Sequence, residues 1–384
     1  MMDWPKIRKE YKKLKCPNDV WNPLALPLGA CGYYIILSDR SRGKTTNALL
    51  LGMVMNKIDG SVIEYVRQRR EQIMPKFILS LFSNVIQYGY VEKITNGKYN
   101  TIRNKSRRGY YAHVDDSGNV DDIAPEPFIH FAGIDECMDL KSTYNSPNSN
   151  IIIFDEFISK MYYRDECIDF LDIVSTYFRM RTSGIVMMLA NTIDKNSPYF
   201  DELSIRDNID RIHMGENEIV TTQLGTKIYL EILGSIASGK KREMNRWFFG
   251  FKNPKLASIT GSESWALPEY QHIPKKSKTE IIKRGIFVYH AGKHVALDIV
   301  INDNIGYCVY CHPATIIHDD SIIYTSGNIV DSRYKYRFGD TTYDKLSKLV
   351  WGKMYNRNLF YYSDNTTGGL IESYVSMCKK LIKK

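Results

Sequence analysis

The 384-residue sequence lacks the features of membrane-bound and secreted proteins. No apolar run approaches the ~20 residues that cross a bilayer, so no membrane-spanning helix is predicted. The basic stretch MMDWPKIRKEYKKLKC at the N-terminus contains no apolar core of the signal-peptide type, which predicts a protein that is not secreted. Seven scattered cysteines, an odd number, favour reduced thiols in a cytoplasm over a disulfide framework.

Glycine and proline, with 25 and 13 residues, are not enriched. Together with 43% hydrophobic residues, this is the composition of a folded globular protein rather than a disordered one. The length suits two domains. The formal net charge of +9 favours a polyanionic partner only where basic residues cluster.

The first half of the chain alternates short apolar runs, typical of strands buried on both faces, with stretches of helical periodicity. Strands are predicted at residues 33–37, 61–67, 127–134, 149–157 and 184–192. Helices are predicted at residues 45–58, 72–86 and 169–181. This alternation predicts a parallel sheet that is covered by helices on both sides.

The pattern changes after residue 215. Residues 216–272 are rich in Gly, Ser and Lys, which predicts a connector. Closely spaced strands from about residue 280 resemble an antiparallel meander, and a helix follows them. We therefore predict an α/β protein with a domain at 1–215, a connector at 216–272 and a smaller domain at 273–384.

The stretch IILSDRSRGKTTNALLLG combines a buried strand, a loop and a helix. A phosphate-binding loop directs consecutive backbone N–H groups at a phosphate from the N-terminus of a helix. Gly43 allows the backbone to approach the phosphate, Lys44 would reach its oxygens, and the Thr45 hydroxyl would hold Mg²⁺. Ser38 stands where the first glycine of the motif belongs, and GKTT alone can also be a polar turn before a surface helix.

A pair of carboxylates, Asp155 and Glu156, ends the most apolar strand in the segment IIIFDEF. In phosphate-loop enzymes an acid at this point holds Mg²⁺ through water, and the next acid can polarise the attacking water. The pairing with GKTT is more specific than either motif by itself. A second pair, Asp135 and Glu136, follows a less apolar strand and ranks below the first.

These motifs resemble those of viral DNA-packaging ATPases of the large-terminase group, in which an arginine of the loop itself can reach phosphate. Arg40 stands four residues before Lys44. The blocks YVRQRR, IIIFDEFI, TYFRMR and MMLANT followed by NSPYF make residues 20–200 most similar to the DNA-encapsidation ATPase of small phi-29-type tailed phages. The resemblance implies a P-loop ATPase domain of the terminase-like ASCE class, with ATP and Mg²⁺ as ligands.

The resemblance also implies roles for individual residues. The loop expected to bind ATP consists of Ser38, Asp39, Arg40, Ser41, Arg42, Gly43, Lys44, Thr45 and Thr46. Mg²⁺ is expected on Thr45 and, through water, on Asp155. Trp21, in an aromatic-Asn-Pro stretch, is expected near adenine.

The expected catalytic residues are Lys44, Glu156 as the base, Asn191 as a sensor of the γ-phosphate, and Arg179, which is donated to the ATP of the neighbouring subunit. Arg70 is a second candidate for action in trans. From the residues alone, Arg179 can also be a surface charge, and Asn191 can be a cap of its strand.

The family implies a homo-oligomeric ring, a pentamer by resemblance, that acts on double-stranded DNA at the portal of a procapsid. Such a motor works in the host-cell cytoplasm and needs no membrane. In the phi-29 type the C-terminal domain contacts the portal and a structural packaging RNA, and the sequence does not decide whether this chain uses such an RNA.

Basic residues cluster in a predicted hairpin that also contains three tyrosines: Lys98, Arg103, Lys105, Arg107 and Arg108. Contacts with phosphate position a protein on DNA without reading its bases, which suits a motor. A solvated charged loop is the alternative. Further basic clusters lie at residues 240–246 and 275–278.

Large terminases carry an RNase H-like nuclease after the ATPase, whose first strand bears an essential Asp and whose acids gather around metals. The candidate first strand, GIFVYHAG, contains no acid, so we expect a vestigial nuclease fold that does not cut. The segment CVYCH matches a haem-attachment pattern, but Cys308 and Cys311 on one strand would project to opposite faces. Three functions are therefore considered: a DNA-translocating ATPase, a terminase that also cleaves DNA, and a nucleotide-dependent assembly switch with little turnover.

Overall fold

The computed structural model describes residues 2–38, 42–137, 148–158, 165–179, 181, 183–191, 197–234, 270–274, 280–303, 305–314, 316–325, 327, 330–336 and 345–381. The chain divides into two compact units, the first within 1–158, 166–194 and 202–237, the second within 159–165, 195–201 and 238–384. Asp39, Arg40 and Ser41 of the predicted loop lie outside the described residues, as do the basic clusters at 240–246 and 275–278.

The described helices up to residue 211 are α1 (Trp4–Lys12), α2 (Lys44–Asp59), α3 (Pro75–Leu81), α4 (Ser83–Gln87), α5 (Tyr90–Thr95), α6 (Glu166–Tyr177), α7 (Pro198–Glu202) and α8 (Arg206–Arg211). Short 3-10 turns lie at Pro23–Ala25, Arg70–Ile73 and Ile134–Glu136. The strands of the first unit are β1 (Tyr33–Leu37), β2 (Val62–Arg67), β3 (Thr101–Lys105), β4 (Arg108–Val114), β5 (Val120–Ile123), β6 (Ile129–Gly133), β7 (Ser149–Asp155), β8 (Ile185–Ala190), β9 (Asn217–Thr221) and β10 (Lys227–Ile232).

These ten described strands form one sheet in the order β3-β4-β6-β2-β7-β8-β1-β10-β9, with β5 paired to β4. The six strands from β6 to β10 in this order are parallel, and antiparallel hairpins occupy both edges. The sheet continues past the predicted domain boundary at residue 215, because β10 pairs in parallel with β1. Residues 217–232 therefore belong to the first unit and not to a connector.

Helices cover both faces of this sheet, as predicted. Alternate residues of β7 face opposite layers. Ile151 and Ile153 pack in the core that contains α2, whereas Phe154 contacts Phe170 of α6 with ring centroids 4.5 Å apart. The expected helix at 72–86 is two short helices, because Pro75 begins α3 and Phe82 leaves the helical conformation between α3 and α4.

The second unit contains the strands β11 (Ile281–Lys283), β12 (Ile286–His290), β13 (Lys293–Asn302), β14 (Gly306–Pro313), β15 (Ile322–Thr325), β16 (Tyr334–Tyr336) and β17 (Phe360–Tyr362). Its described helices are α9 (Lys345–Ser347), a π-helix at Lys348–Met354, a 3-10 turn at Tyr355–Arg357 and α10 (Asn365–Leu381). The strand order is β16-β15-β12-β13-β14-β17, with β11 paired to β13.

Only part of this second sheet is the predicted antiparallel meander. The strands β12, β13 and β14 follow it, but β15, β16 and β17 each join a neighbour in parallel. The prediction is wrong for β15, because the chain after β14 crosses the sheet to pair with β12 instead of turning back in a hairpin. The strands β16 and β17 were not predicted.

The two cysteines of the CVYCH segment lie on opposite faces of β14. Cys311 of β14 packs in the cluster that contains α10, and Cys308 packs in a cluster on the other face, so the predicted opposite orientation is confirmed. All seven cysteines are free thiols. Among the described residues, no helix combines the length and the hydropathy of a bilayer span.

Candidate functional site

The carboxyl ends of β1, β8, β7 and β2 lie side by side at one edge of the first sheet. Parallel strands point the same way, so the residues that follow them meet at that edge. The loop before α2 follows β1, Asn191 follows β8, Asp155 ends β7 and Arg67 ends β2. Four segments that are distant in sequence thus form one site.

Gly43 turns the chain from the loop into α2. Its backbone is left-handed, with φ of 69°, and a Cβ at this position would lie 2.9 Å from Cβ of Val20. Both facts require glycine. The Tyr11 hydroxyl donates to Oδ1 of Asn47 at 2.7 Å, and Nδ2 of Asn47 donates to the Gly43 carbonyl at 3.1 Å, so α1 braces the loop. The helix that begins at Lys44 directs its positive dipole end and the N–H groups of its first turn to the site.

The Lys44 ammonium lies between two strand ends. Lys44 is only 4% exposed, and its Nζ donates to Oγ of Ser38 and, at 3.0 Å, to Oδ1 of Asn191. Nδ2 of Asn191 donates to Oε1 of Glu156 at 3.4 Å. The Asn191 side-chain amide therefore contacts both Lys44 and the expected base, Glu156.

Thr45 and Asp155 lie together at the end of the site where the sequence predicts a metal ion. Oγ1 of Thr45 lies 3.1 Å from both carboxylate oxygens of Asp155. Hydroxyl and carboxylate oxygens are the ligands that Mg²⁺ prefers, and Asp155 is 5% exposed, so its charge needs a compensating partner. The residues present therefore fit a magnesium ion. Thr46 lies beside them on the wall of a cavity of about 660 Å³.

Two residues of β2 complete the site, and the sequence reasoning did not identify either. The Tyr65 hydroxyl donates to Oδ2 of Asp155 at 2.6 Å. Arg67 donates from Nη1 to the same oxygen at 3.1 Å and from Nη2 to Oε2 of Glu156 at 2.5 Å. One guanidinium therefore connects both carboxylates.

The charge states of these two residues follow from their surroundings. Burial alone would lower the pKa of Arg67, but the neighbouring Tyr65, Asp155 and Glu156 raise it above its usual value, so the guanidinium stays charged. Burial raises the pKa of Tyr65, so its hydroxyl keeps the proton that it donates. Both residues lie two apart in the segment YVR and share one face of β2. This spacing in the sequence could have indicated that both side chains face the same neighbour. Identifying that neighbour as β7 requires the strand order, which the sequence alone does not give.

Glu156 itself has a left-handed backbone with φ of 56°. Residues other than glycine in this region cost ~1–3 kcal/mol, and such strain concentrates at functional sites. Glu156 is the first residue after β7, and its carboxylate contacts Asn191 and Arg67 on the two neighbouring strand ends.

The sequence matches no model of a known protein family and no curated protein. Solved structures match it. The bacteriophage Phi-29 viral genome packaging motor assembly aligns with a TM-score of 0.56 and 16% identity, over 94% of this chain and 100% of that chain. The Phi-28 gp11 DNA packaging motor aligns with a TM-score of 0.51 and 14% identity, over 94% of this chain and 99% of that chain.

The chain has the fold of a phage DNA-packaging motor protein. This similarity confirms the α/β fold that the sequence resemblance implied, and it covers most of the chain.

Within the packaging-motor fold, Arg179 lies at the edge of the sheet opposite to the acids. It is exposed and follows α6, shortly before β8 begins. Nη1 of Arg181 donates to the carbonyl of Ser149, the first residue of β7, at 2.5 Å. The seven residues of β7 span roughly 20 Å at ~3.3 Å each. Arg179 is therefore remote from the Asp155 of its own chain.

The second Asp-Glu pair of the packaging-motor fold has a different neighbourhood from the first. The backbone N–H of Arg70 donates to Oδ1 of Asp135 at 2.9 Å, and Nε of Arg70 lies 3.5 Å from Oε1 of Glu136. Nη1 of Arg107 donates to Oε2 of the same Glu136. Thus Arg70, a candidate for action in trans, and Arg107, a candidate for DNA binding, are both paired within this chain.

The remaining residues of the basic hairpin are exposed. The hairpin β3–β4 lies at the outer edge of the sheet, and its two turn residues, Ser106 and Arg107, both have left-handed backbones. The exposed basic side chains are Lys98, Arg103, Lys105 and Arg108. Tyr99 and Tyr111 are buried and stack on each other, so these two tyrosines belong to the core and not to a binding surface.

Trp21 is also buried, at 4% exposure, with Nε1 at 3.4 Å from Oε2 of Glu231 on β10. The expected place of Trp21 near adenine stays a prediction. The Arg42 carbonyl accepts the backbone N–H of Trp21 at 2.8 Å, so the segment before β1 packs behind the loop.

The first long strand of the second unit, β12, contains no acid. Asp298 on β13 is 5% exposed, accepts from Nε2 of His312 at 3.2 Å and lies 3.8 Å from Nε of Arg284. The hydrogen bond with Asp298 raises the pKa of His312. Within the described part of the chain, the one group of three side chains close enough to share a metal ion is Cys137, Asp169 and Asp172 in the first unit, so no such group surrounds Asp298.

Proposed function

We propose that this chain is the ATPase subunit of a ring-shaped motor that drives double-stranded DNA into a viral procapsid in the host-cell cytoplasm. The supporting observation is the series of contacts that joins Lys44, Asn191 and Glu156. It lies beside the Thr45–Asp155 pair, in a fold shared with DNA-packaging motors.

In the proposed reaction Lys44 exchanges its contacts with Ser38 and Asn191 for phosphate oxygens of ATP, and the first N–H groups of α2 hold the phosphate. Thr45 and, through water, Asp155 would hold Mg²⁺, which would neutralise phosphate charge. Glu156 accepts the proton of the attacking water. Arg67 has to release Glu156 before that carboxylate can accept a proton.

We propose that Arg179 acts in trans, on the ATP of the neighbouring subunit. Its position beyond the amino ends of the strands favours this role, because the length of β7 separates it from the acids of its own chain. An arginine supplied in trans contributes ~10³–10⁵ in rate, so an isolated subunit should turn over slowly. The ring is pentameric in the family that the sequence resembles. Arg70 is the weaker candidate because Glu136 already pairs with it.

We propose that the exposed hairpin side chains Lys98, Arg103, Lys105 and Arg108 contact DNA phosphates. We further propose that the second unit is an RNase H-like domain without cleavage activity that contacts the portal and, where one is used, a packaging RNA. The absence of an acid from β12 supports this proposal, as does the absence of an acid cluster around Asp298 among the described residues.

The test is the ATPase rate against protein concentration, with and without duplex DNA. The rate per chain should rise with concentration and with DNA, because assembly supplies Arg179. Glu156→Gln should bind Mg-ATP but turn over poorly, whereas Lys44→Ala should lose nucleotide binding. ATPase activity that DNA fails to stimulate would support the assembly switch instead. Divalent-dependent nicking of a plasmid would support a cleaving terminase.

A further inference from the structure

Glu136 joins the tip of the basic hairpin to the turn that follows β2. It lies in the turn after β6, and its side chain is 12% exposed. Oε1 is 3.5 Å from Nε of Arg70, and Oε2 accepts from Nη1 of Arg107. Arg107 is a turn residue between the exposed Lys105 and Arg108. One carboxylate therefore bridges two arginines from different segments.

The backbones around this bridge are in direct contact. A Cβ at Gly133 would lie 2.7 Å from the backbone nitrogen of Arg70, so only glycine allows this approach. The Arg70 N–H donates to Asp135, and the Phe131 N–H donates to the Arg107 carbonyl at 3.0 Å. The hairpin tip and the turn Arg70–Ile73 are therefore connected by backbone contacts through the turn after β6.

The other end of this path is the candidate ATP site. Arg67 lies three residues before Arg70 and contacts Asp155 and Glu156. The next residue, Gln68, donates from Nε2 to the carbonyl of Phe157 at 3.0 Å. The end of β2 is thus attached to the segment 155–157 by two consecutive side chains.

We propose that Glu136 is a positioning residue that couples DNA contact at the hairpin tip to the release of Glu156, and this rests on the proposed function. A DNA phosphate next to Arg107 competes with Glu136 for its guanidinium. When Arg107 turns to the phosphate, Glu136 pairs with Arg70 alone. The shift of Arg70 then moves Arg67, three residues earlier at the end of β2, away from the carboxylate that it holds.

Coupling of this kind is reciprocal: DNA and nucleotide change each other's affinity by the same factor, typically ~5–150-fold. The test measures the Kd for duplex DNA with and without a non-hydrolysable ATP analogue and Mg²⁺, and the Kd for the analogue with and without DNA. Wild type should give one factor in both directions. Glu136→Gln, which keeps the shape and removes the charge, should bring both factors close to one, while the DNA-free ATPase rate stays close to wild type.

Two further variants separate coupling from simple loss of grip. Arg103→Gln removes an exposed charge of the same hairpin that does not contact Glu136, so it should weaken DNA binding and keep the coupling factor. Arg107→Gln should lose the coupling, and the double variant with Glu136→Gln should lose no more, because the two residues act through one contact.

Wild-type coupling in both Glu136→Gln and Arg107→Gln would overturn the inference, as would losses that add in the double variant. The Arg107 variant, on an exposed turn, keeps the test decisive if Glu136→Gln does not fold. A wild-type protein that binds DNA and nucleotide without mutual effect would also refute the coupling. Failure of the wild type to bind duplex DNA at all would instead refute the proposed function.

Discussion

Replacing Arg67 with methionine tests how the two carboxylates of the candidate site are stabilised. The Arg67 side chain is 16% exposed, and those of Asp155 and Glu156 are 7% and 44% exposed. Arg67→Met keeps most of the volume and removes the charge, which leaves the Asp155 carboxylate with the hydroxyls of Thr45 and Tyr65. Removing one partner of a buried ion pair costs ~3–5 kcal/mol. Because Glu156 is partly hydrated, we expect the lower end, ~3 kcal/mol.

For a unit of this size ~1 kcal/mol corresponds to roughly 2–4 °C in Tm, so Arg67→Met should melt roughly 6–12 °C below wild type in EDTA. Mg²⁺ supplies positive charge to the same carboxylates, so it should raise the Tm of the variant more than that of wild type. Circular dichroism melts with EDTA and with Mg²⁺ measure both effects. Arg69→Met, an exposed position two residues along, is the matched control and should shift stability by less than ~0.5 kcal/mol.

The reasoning is wrong if Arg67→Met and wild type have the same Tm in EDTA, because Arg67 would then not compensate the charge of the acids. It is also wrong if Mg²⁺ raises the Tm of both proteins equally, because the metal would then not bind where the guanidinium lies.

Three further changes have definite expected outcomes. Arg179→Ala should bind ATP and hydrolyse it at least ~10³-fold more slowly. Adding Glu156→Gln subunits, which carry an intact Arg179, should restore turnover in mixed rings, and no rescue would exclude action in trans. The double variant Lys105→Gln, Arg108→Gln should lower the slope of log Kd against log salt by ~0.9 for each DNA phosphate that it no longer neutralises. Fluorescence anisotropy between roughly 50 and 200 mM salt measures this slope. An unchanged slope would show that neither residue lies in the DNA interface. The hydrogen bond with Asp298 raises the pKa of His312 in the folded protein above its usual value of 6.5. The stabilisation is complete below pH 6.5 and disappears as the pH rises through the folded-state pKa. The Tm difference between wild type and His312→Gln should therefore be largest in mild acid, and a difference that grows toward alkaline pH would contradict this pair.

Local sequence was sufficient to predict five of the six parallel strands of the first sheet and the meeting of the loop with the acid pair. The segment YYIIL is a strand over the predicted residues 33–37, because a short apolar run between polar segments has few other stable states. The closeness of Thr45 and Asp155 follows from parallel strands whose carboxyl ends share an edge. The catalytic roles stay predictions.

Contacts that depend on strand order could not be predicted. Tyr65 and Arg67 reach Asp155 only because β2 lies next to β7, and Glu136 reaches Arg107 only because β6 lies next to β4. The strands β9 and β10 were missed for a related reason. Both strands lie in a stretch whose Gly, Ser and Lys content resembles a linker, and β9 is largely exposed. The strand β10 is mostly buried, and it is placed by its pairing with β1, a strand almost 200 residues away.

Glu156 occupies a backbone conformation that glycine adopts freely and glutamate does not. Selection for heat resistance alone would therefore favour glycine here, which relieves part of the ~1–3 kcal/mol of strain. The same exchange would discard the carboxylate on which hydrolysis is proposed to depend. A variant library screened only for thermostability is thus expected to select substitutions of Glu156 that abolish ATP turnover. At this position the stability of the backbone and the proposed catalytic role favour different residues.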